Sequence, residues 1–278
     1  MLVTDLDGTL LDSNGRIHRA DAEAIAALLK RGVPVSICTG RMYSGTRQIA
    51  QQLRLTGPIA CVDGSHIVDT AARRSLFTAT LQPTASEALR GLLEQLGLAA
   101  FAFASDAIIH DSAGQRFLHY LRTWSERMTP VKNLTSVEGW GSLKDVSAVV
   151  ALGPQTQIEA VVAGLLAAAV LDGKLLQHAT FPLRVPIGNA DWAVIVRCAS
   201  VDKGTATAWL AKHHGVPLDQ VVAVGDWLND VPMFKVVGKA FVMAQAPAEV
   251  RESAHFVLNA HTQVGGGIRE AAERAGLL

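Results

Sequence analysis

The chain has 278 residues, of which 25 are acidic and 25 basic, so its formal net charge is zero. That balance leaves no basic footprint for nucleic acid or an anionic membrane, and small-molecule partners fit better. With 49% apolar residues the chain can bury a sizeable core, and its length suits two domains.

Leu2-Val3-Thr4 is a short, apolar, β-branched run with no helix start signal, and it reads as a buried strand. Asp5-Leu6-Asp7-Gly8-Thr9-Leu10 follows at its C-terminal tip, the edge of an open parallel sheet where ligands bind. Alternate side chains of extended backbone point the same way, so Asp5 and Asp7 can address one site, with Gly8 relieving the turn. A solvated Asp-Gly turn is the alternative. Ile25, Leu28 and Leu29 mark a helix over 21–31 closed by Gly32, and Val33 to Cys38 reads as a second strand. Thr39-Gly40-Arg41 then precedes a helix carrying Ile49, Ala50 and Leu53, completing a βαβ unit. Pro58 to Val62 is a third strand, turned by Asp63-Gly64-Ser65 into His66-Ile67-Val68.

From Gln82-Pro83-Thr84 the pattern changes. A helix to about Leu96 leads into neighbouring strands at 98–104 and 107–110, a helix at 115–128, a strand at 146–152, a helix at 158–171 and a strand at 175–179. This is a self-contained α+β insert. Ala193 to Cys198 reads as a return to the first domain, followed by a helix opened by Lys203 and a buried strand at 221–224. Gly225-Asp226-Trp227-Leu228-Asn229-Asp230 caps that strand. Short strands at 240–243 and 256–258 then alternate with helices at 247–253 and 268–275. Alternating strands and helices imply an α/β fold with a doubly wound, Rossmann-like parallel sheet built from both ends of the chain.

The longest apolar stretch, Ile158 to Leu171, is 14 residues, short of the roughly 20 that span a bilayer. Cys38, Cys61 and Cys198 are odd in number and far apart, so they read as free thiols of a reducing compartment. With no signal-peptide pattern at the N-terminus, a cytoplasmic location is expected. Neither a Gly-x-x-x-x-Gly-Lys-Ser/Thr loop nor a Gly-x-Gly-x-x-Gly after the first strand is present, which argues against a nucleotide-dependent enzyme.

Each chemistry-bearing residue follows a core strand or opens a helix at the same sheet edge. Thr39 and Gly40 can hold an anion there, although Thr is also an ordinary helix cap. Lys203 places a cation at a helix start, against the dipole, and so calls for an anionic neighbour; a solvated surface lysine is the alternative. Asp226 and Asp230 add two carboxylates to Asp5 and Asp7. Four acids in one pocket imply a hard divalent cation, and Mg²⁺ suits few carboxylates, several waters and a phosphate oxygen.

Asp5-Leu6-Asp7-Gly8-Thr9-Leu10-Leu11 resembles the first motif of the haloacid dehalogenase superfamily of phosphohydrolases. Thr39, Lys203 and Gly225-Asp226-x-x-Asn229-Asp230 resemble the second, third and fourth motifs, in order. The long insert, Asn229-Asp230-Val231-Pro232-Met233 and Ala246-Pro247 resemble the Cof-type branch with a type IIB cap. The resemblance implies a discontinuous core of residues 1–81 and 187–278 and a cap of residues 82–186. It also implies a Mg²⁺-dependent phosphatase of small phosphorylated metabolites such as sugar phosphates. Asp5 would be the nucleophile and Asp7 the general acid and base. Thr39, Gly40 and Lys203 would bind the phosphoryl group. Asp5, the Asp7 carbonyl and Asp226 would hold the metal, with Asp230 behind them. A phosphomutase, or a metabolite-binding protein without catalysis, are the alternatives.

Two departures from the motifs stand out. Trp227 fills a position that is usually small or polar, and Asp63-Gly64-Ser65 stands where the branch commonly has Asn-Gly-Ala. Arg41 and Asn229, and less specifically His110, His119, Arg122, Trp124, Arg184 and Trp192, are the candidates for contact with substrate. The sequence does not set an oligomeric state.

Overall fold

The computed structural model describes residues 1–171, 175–183 and 191–278. The expected cap boundary at Pro186, and Arg184, lie outside the described residues. In chain order the elements begin with β1 (Leu2–Thr4), α1 (Arg19–Lys30), β2 (Val35–Ile37), α2 (Tyr43–Gln52), β3 (Pro58–Cys61), β4 (His66–Asp69) and β5 (Arg74–Thr78). Next come α3 (Pro83–Leu96), β6 (Ala99–Ala104), β7 (Ala107–His110), α4 (Leu118–Leu121), β8 (Met128–Pro130), α5 (Val137–Gly141), β9 (Val146–Pro154), α6 (Gln155–Ala167), β10 (Leu176–Pro182) and β11 (Asp191–Cys198). The chain ends with α7 (Lys203–His213), β12 (Val222–Gly225), α8 (Val231–Phe234), β13 (Lys239–Val242), α9 (Ala248–Ser253), β14 (Phe256–Val257) and α10 (Gly267–Ala275).

One compact unit comprises Met1–Gly40, Arg47–Phe77 and Val201–Leu278. Its sheet runs β14-β13-β12-β1-β2, with every strand parallel to its neighbour. A parallel bridge between Cys38 and Ala60 carries the edge on to β3. All residues of β1 and β12 are buried, as parallel strands covered on both faces must be. From β1 the chain moves one way to β2 and later returns on the other side to β12. The strand order therefore reverses between β1 and β12, and the crevice beyond their C-terminal ends is the expected ligand position. Asp5 leaves β1 and Asp226 leaves β12 at that crevice, with Asp5 N–H donating to Val224 O at 2.9 Å. Helix α1 buries Ala24, Ile25 and Leu28, the stripe that the 3.6-residue period anticipates.

The second unit comprises Arg41–Thr46 and Thr78–Ser200. Its sheet runs β10-β11-β9-β6-β7-β8, antiparallel throughout the β10 to β7 pairings and parallel only between β7 and β8. Leu89 and Leu93 of α3 and Ile158, Val161 and Leu165 of α6 cover its apolar face. This is the α+β cap inserted in the α/β core.

Three expectations are corrected. Ala193 to Cys198 does not reopen the core: as β11 it pairs with β9 and β10 in the cap sheet, and the core unit resumes only at Val201. A continuous apolar run is the signature of any strand buried on both faces, so it cannot tell the two sheets apart. The helix expected over 115–128 is a 3₁₀ turn at Ser112–Phe117 and the single turn of α4, followed by β8. Ser125 Oγ accepts from Arg127 N–H at 3.0 Å, an alternative to helical pairing that Ser readily offers the backbone. Finally, Arg41–Thr46 packs with the cap: Met42 N–H donates to Trp124 O at 2.9 Å and Ser44 N–H to Asp106 Oδ1 at 3.0 Å.

Candidate active site

At the core crevice three segments converge on one ammonium group. Asp202 is the N-cap of α7 and accepts from Thr205 N–H at 2.7 Å, while its own N–H donates to Thr205 Oγ1 at 2.9 Å. This reciprocal cap fixes the first turn, and Lys203 is its first residue. The Lys203 side chain is 0% exposed. Its Nζ donates to Asp5 Oδ1 and to Asp230 Oδ1, each at 2.6 Å, and lies 4.0 Å from Asp63 Oδ1. A cation at a helix N-terminus is unfavourable alone, and these acids supply the compensation.

Asp230 is fully engaged. Its Oδ1 meets Lys203, and its Oδ2 accepts from Asp226 N–H at 2.9 Å and Trp227 N–H at 3.0 Å. It therefore braces the loop after β12. The Asp226 carboxylate accepts from Thr9 Oγ1 at 3.2 Å. Gln245 donates to Gly8 O at 2.6 Å and also hydrogen-bonds Asp226, while Thr262 Oγ1 donates to the same Gly8 carbonyl. Gly8 has φ +85°, and a Cβ there would collide with the Asp226 carboxylate. Glycine is required for both reasons.

Burial pushes the Asp5 carboxyl well above the usual carboxylate range; Lys203 opposes this, while Asp230, Asp226 and Asp7 add to it. Burial likewise raises Asp226 to about 7, with Asp230 adding to the rise and Lys203, Thr9 and Gln245 opposing it. For Lys203, burial disfavours the charge, but Asp230, Asp5 and Asp63 outweigh it and hold the ammonium well above its ordinary value. The ammonium is thus charged, and the acids around it outnumber it.

One oxygen atom from each of Asp5, Asp226 and Asp230 lies within 4.8 Å of the others. An all-oxygen, acidic set suits a hard divalent cation. Asp230 already accepts three hydrogen bonds, more than the structure gives Asp5 or Asp226.

The other expected residues fall as follows. Thr39 is buried beside β3, with its N–H on Ala60 O at 2.9 Å and its carbonyl accepting from Asp63 N–H at 2.9 Å. Gly40 closes that loop, where an added Cβ would sit 3.5 Å from Asp63 Oδ1. Asn229 donates from Nδ2 to Asp63 Oδ1 at 2.9 Å. Asp7 is exposed, unlike the other acids, so the buried group is completed by Asp63. Arg41 packs in the cap unit and donates to Gly45 O at 3.4 Å. Two amides at the start of α2, Met42 and Ser44, are bonded to cap residues, so they do not add to an anion cradle. His110 is buried in the cap beside Phe101, and His119 and Arg122 are exposed there. Asp63 and Gln245 also touch these residues, contacts that the sequence reading does not anticipate.

The family model described as haloacid dehalogenase-like hydrolase matches residues 2–271. Among curated proteins, the chain is 26% identical to 5-amino-6-(5-phospho-D-ribitylamino)uracil phosphatase YwtE of Bacillus subtilis, covering 95% of this chain and 94% of that one. It is 24% identical to pyridoxal phosphate phosphatase YbhA of Escherichia coli, covering 94% of each. Among solved structures, a haloacid dehalogenase-like hydrolase from Bacteroides thetaiotaomicron superposes with a TM-score of 0.81 at 19% identity over 98% of each chain. A subclass IIB sugar phosphatase of the same superfamily superposes with a TM-score of 0.80 at 17% identity, covering 100% of this chain and 99% of that one.

Proposed function

Because the chain belongs to the haloacid dehalogenase-like hydrolase family, we propose that it is a Mg²⁺-dependent phosphatase of small phosphorylated metabolites, sugar phosphates or similar monoesters. The observation that carries this reading is the Lys203 ammonium held between Asp5 and Asp230 at 2.6 Å each, at the sheet's switch point beside Asp226. The names of the relatives support the substrate class: they include phosphatases of a ribitylamino-uracil phosphate and of pyridoxal phosphate.

Asp5 attacks phosphorus, forming an aspartyl-phosphate as the ester P–O bond breaks. Asp7 gives its proton to the leaving oxygen. In the second step water attacks phosphorus, Asp7 takes the water's proton, and Asp5 is released with free phosphate. The proton Asp7 takes from water in the second step restores the acid used in the first. Thr39 and Gly40 line the phosphoryl position from β2, and Lys203 neutralises charge there and fixes the Asp5 carboxylate. Asp5, the Asp7 backbone carbonyl and Asp226 would hold Mg²⁺, which when bound offsets the surplus of acids and stabilises charge on the phosphoryl oxygens. Asp230 keeps Lys203 and the Asp226 backbone in place. Substrate choice falls to the cap, since the core chemistry is common to phosphate esters. The absence of any helix long and apolar enough to cross a membrane among the described residues is compatible with a cytoplasmic location.

Product analysis tests the reading. Incubation with Mg²⁺ and a panel of phosphorylated metabolites is expected to yield free phosphate and the dephosphorylated alcohol. An isomeric phosphate ester without free phosphate would replace hydrolysis by mutase chemistry.

A further inference from the structure

We propose that Asp63 is a positioning residue: its carboxylate holds the Asn229 amide in a fixed orientation toward the phosphoryl cradle formed by Thr39, Gly40 and Lys203. The inference rests on the phosphatase reading for its kinetic consequence, and on geometry alone for the contact itself.

Val62, Asp63 and Gly64 have φ of +50°, +49° and +101°. Two consecutive non-glycine residues in the left-handed region, one of them β-branched, store strain that a simple turn between β3 and β4 does not require. Surrounding contacts hold it in place. Asp63 N–H donates to Thr39 O at 2.9 Å, tying the turn to the anion loop. At Gly64 an added Cβ would lie 2.8 Å from both Asp202 O and Ala206 Cβ, so the turn sits directly on the first turn of the Lys203 helix. The turn sets one buried carboxylate, 3% exposed, beside Asn229 and Lys203.

Those two groups are not equivalent. Asn229 Nδ2 is 2.9 Å from Asp63 Oδ1, a hydrogen bond to an ionisable acceptor. Lys203 Nζ is 4.0 Å away and already has closer partners in Asp5 and Asp230, so Asp63 contributes charge there and no additional hydrogen bond. Of these two, it is Asn229 that Asp63 holds by a hydrogen bond. Asn229 sits in the single turn Leu228–Asp230, half-buried, where its amide could otherwise rotate. With one N–H committed to Asp63, the remaining N–H and carbonyl of the amide take fixed directions. A donor fixed before substrate arrives needs no reorganisation when charge develops on the phosphoryl oxygens. An aspartate in this role also adds negative charge near an anionic substrate, and the charged Lys203 offsets it.

Two substitutions separate the hydrogen bond from the charge. Asp63→Asn keeps an oxygen acceptor for Asn229, removes the charge, and tolerates positive φ. Asp63→Gly removes the side chain while accommodating the same backbone, which alanine would strain. With Mg²⁺ and the best ester of the panel, Asp63→Asn is expected to keep kcat/KM within about threefold of the parent. Asp63→Gly should lose at least about tenfold, mostly in kcat, with an unchanged circular dichroism spectrum. In an Asn229→Ala background, Asp63→Gly should have no further effect. In parallel, the ¹⁵N side-chain amide resonance of Asn229, assigned by its loss in Asn229→Ala, should move in Asp63→Gly and stay close to the parent position in Asp63→Asn. Unchanged kcat/KM in Asp63→Gly, losses that multiply in the double variant, or an Asn229 amide indifferent to Asp63 would each overturn the proposal. A parent protein without turnover whose Asn229 amide still responds to Asp63 would refute the phosphatase reading and leave the positioning contact standing.

Discussion

Lys203 Nζ and Asp5 Oδ1 lie 2.6 Å apart although the two residues are 198 positions apart in the chain. The cap is threaded between them in sequence, and only the return of the chain to the parallel sheet brings them together. Asp230 closes the other side of the ammonium at the same distance.

Lys203→Met should remove the one ammonium that the described residues place among these acids and leave Asp5, Asp230 and Asp63 buried without it. Breaking a buried charge network by deleting one partner costs about 3–5 kcal/mol. Thermal denaturation should show a markedly lower midpoint, partly restored by Mg²⁺, and turnover should fall about a thousandfold. A variant as stable and active as the parent would show that the lysine is not the neutralising group.

The sequence makes part of this arrangement legible. Asp5, Thr39 and Asp226 each end an apolar run, so the reading of such runs as buried strands and the rule that ligands gather at strand C-termini bring them together without coordinates. Lys203 was legible as a misplaced cation in search of an anion. Asp63 was not, because Asp-Gly-Ser is also the composition of an ordinary turn and its left-handed backbone leaves no periodic trace. Gln245 was hidden for another reason: it works on the Gly8 carbonyl and the Asp226 carboxylate from a loop far away in sequence. Strand β11 misled because a run such as Ala193 to Val196 suits the middle of either sheet.

Metal affinity should depend on pH through Asp226. Burial, with Asp230 adding to it, raises its pKa from the ordinary carboxylate value near 4 to about 7. An acid with a raised folded pKa favours the folded state fully below its unfolded value, and that contribution is lost as pH rises through 7. Metal-free protein should therefore lose this contribution between about pH 4 and 7, while Mg²⁺ binding, which needs the ionised carboxylate, should weaken about tenfold per unit below pH 7. Thermal denaturation of the metal-free protein and Mg²⁺ titration calorimetry, each at several pH values, check the two signs; an affinity independent of pH from 5 to 8 would remove Asp226 from the ligand set.

Gly8→Ala places a Cβ against the Asp226 carboxylate at a residue with φ +85°. Strain at such a position costs about 1–3 kcal/mol. The expected outcome is weaker Mg²⁺ binding together with a lower melting temperature. Retained metal affinity would mean that Asp226 can shift without consequence.

Asp21 provides a control remote from the chemistry. Its carboxylate accepts from the N–H groups of Gly266, Ile268 and Arg269 at 2.8, 2.9 and 3.1 Å, capping α10. Asp21→Ala should cost about 2 kcal/mol of stability, as lost caps and orphaned buried donors do. Its kcat should remain that of the parent at temperatures where the protein is folded. A large fall in kcat would tie α10 to the active site.

The most direct measurement of the central claim is phosphate release from the best ester of the panel, with Mg²⁺ and with chelator, comparing the parent with Asp5→Asn. The substitution keeps size and shape while removing the nucleophile, so release should require Mg²⁺ in the parent and fall by more than about a thousandfold in the variant. Release that persists in rigorously purified Asp5→Asn protein would contradict the assignment of Asp5 as nucleophile.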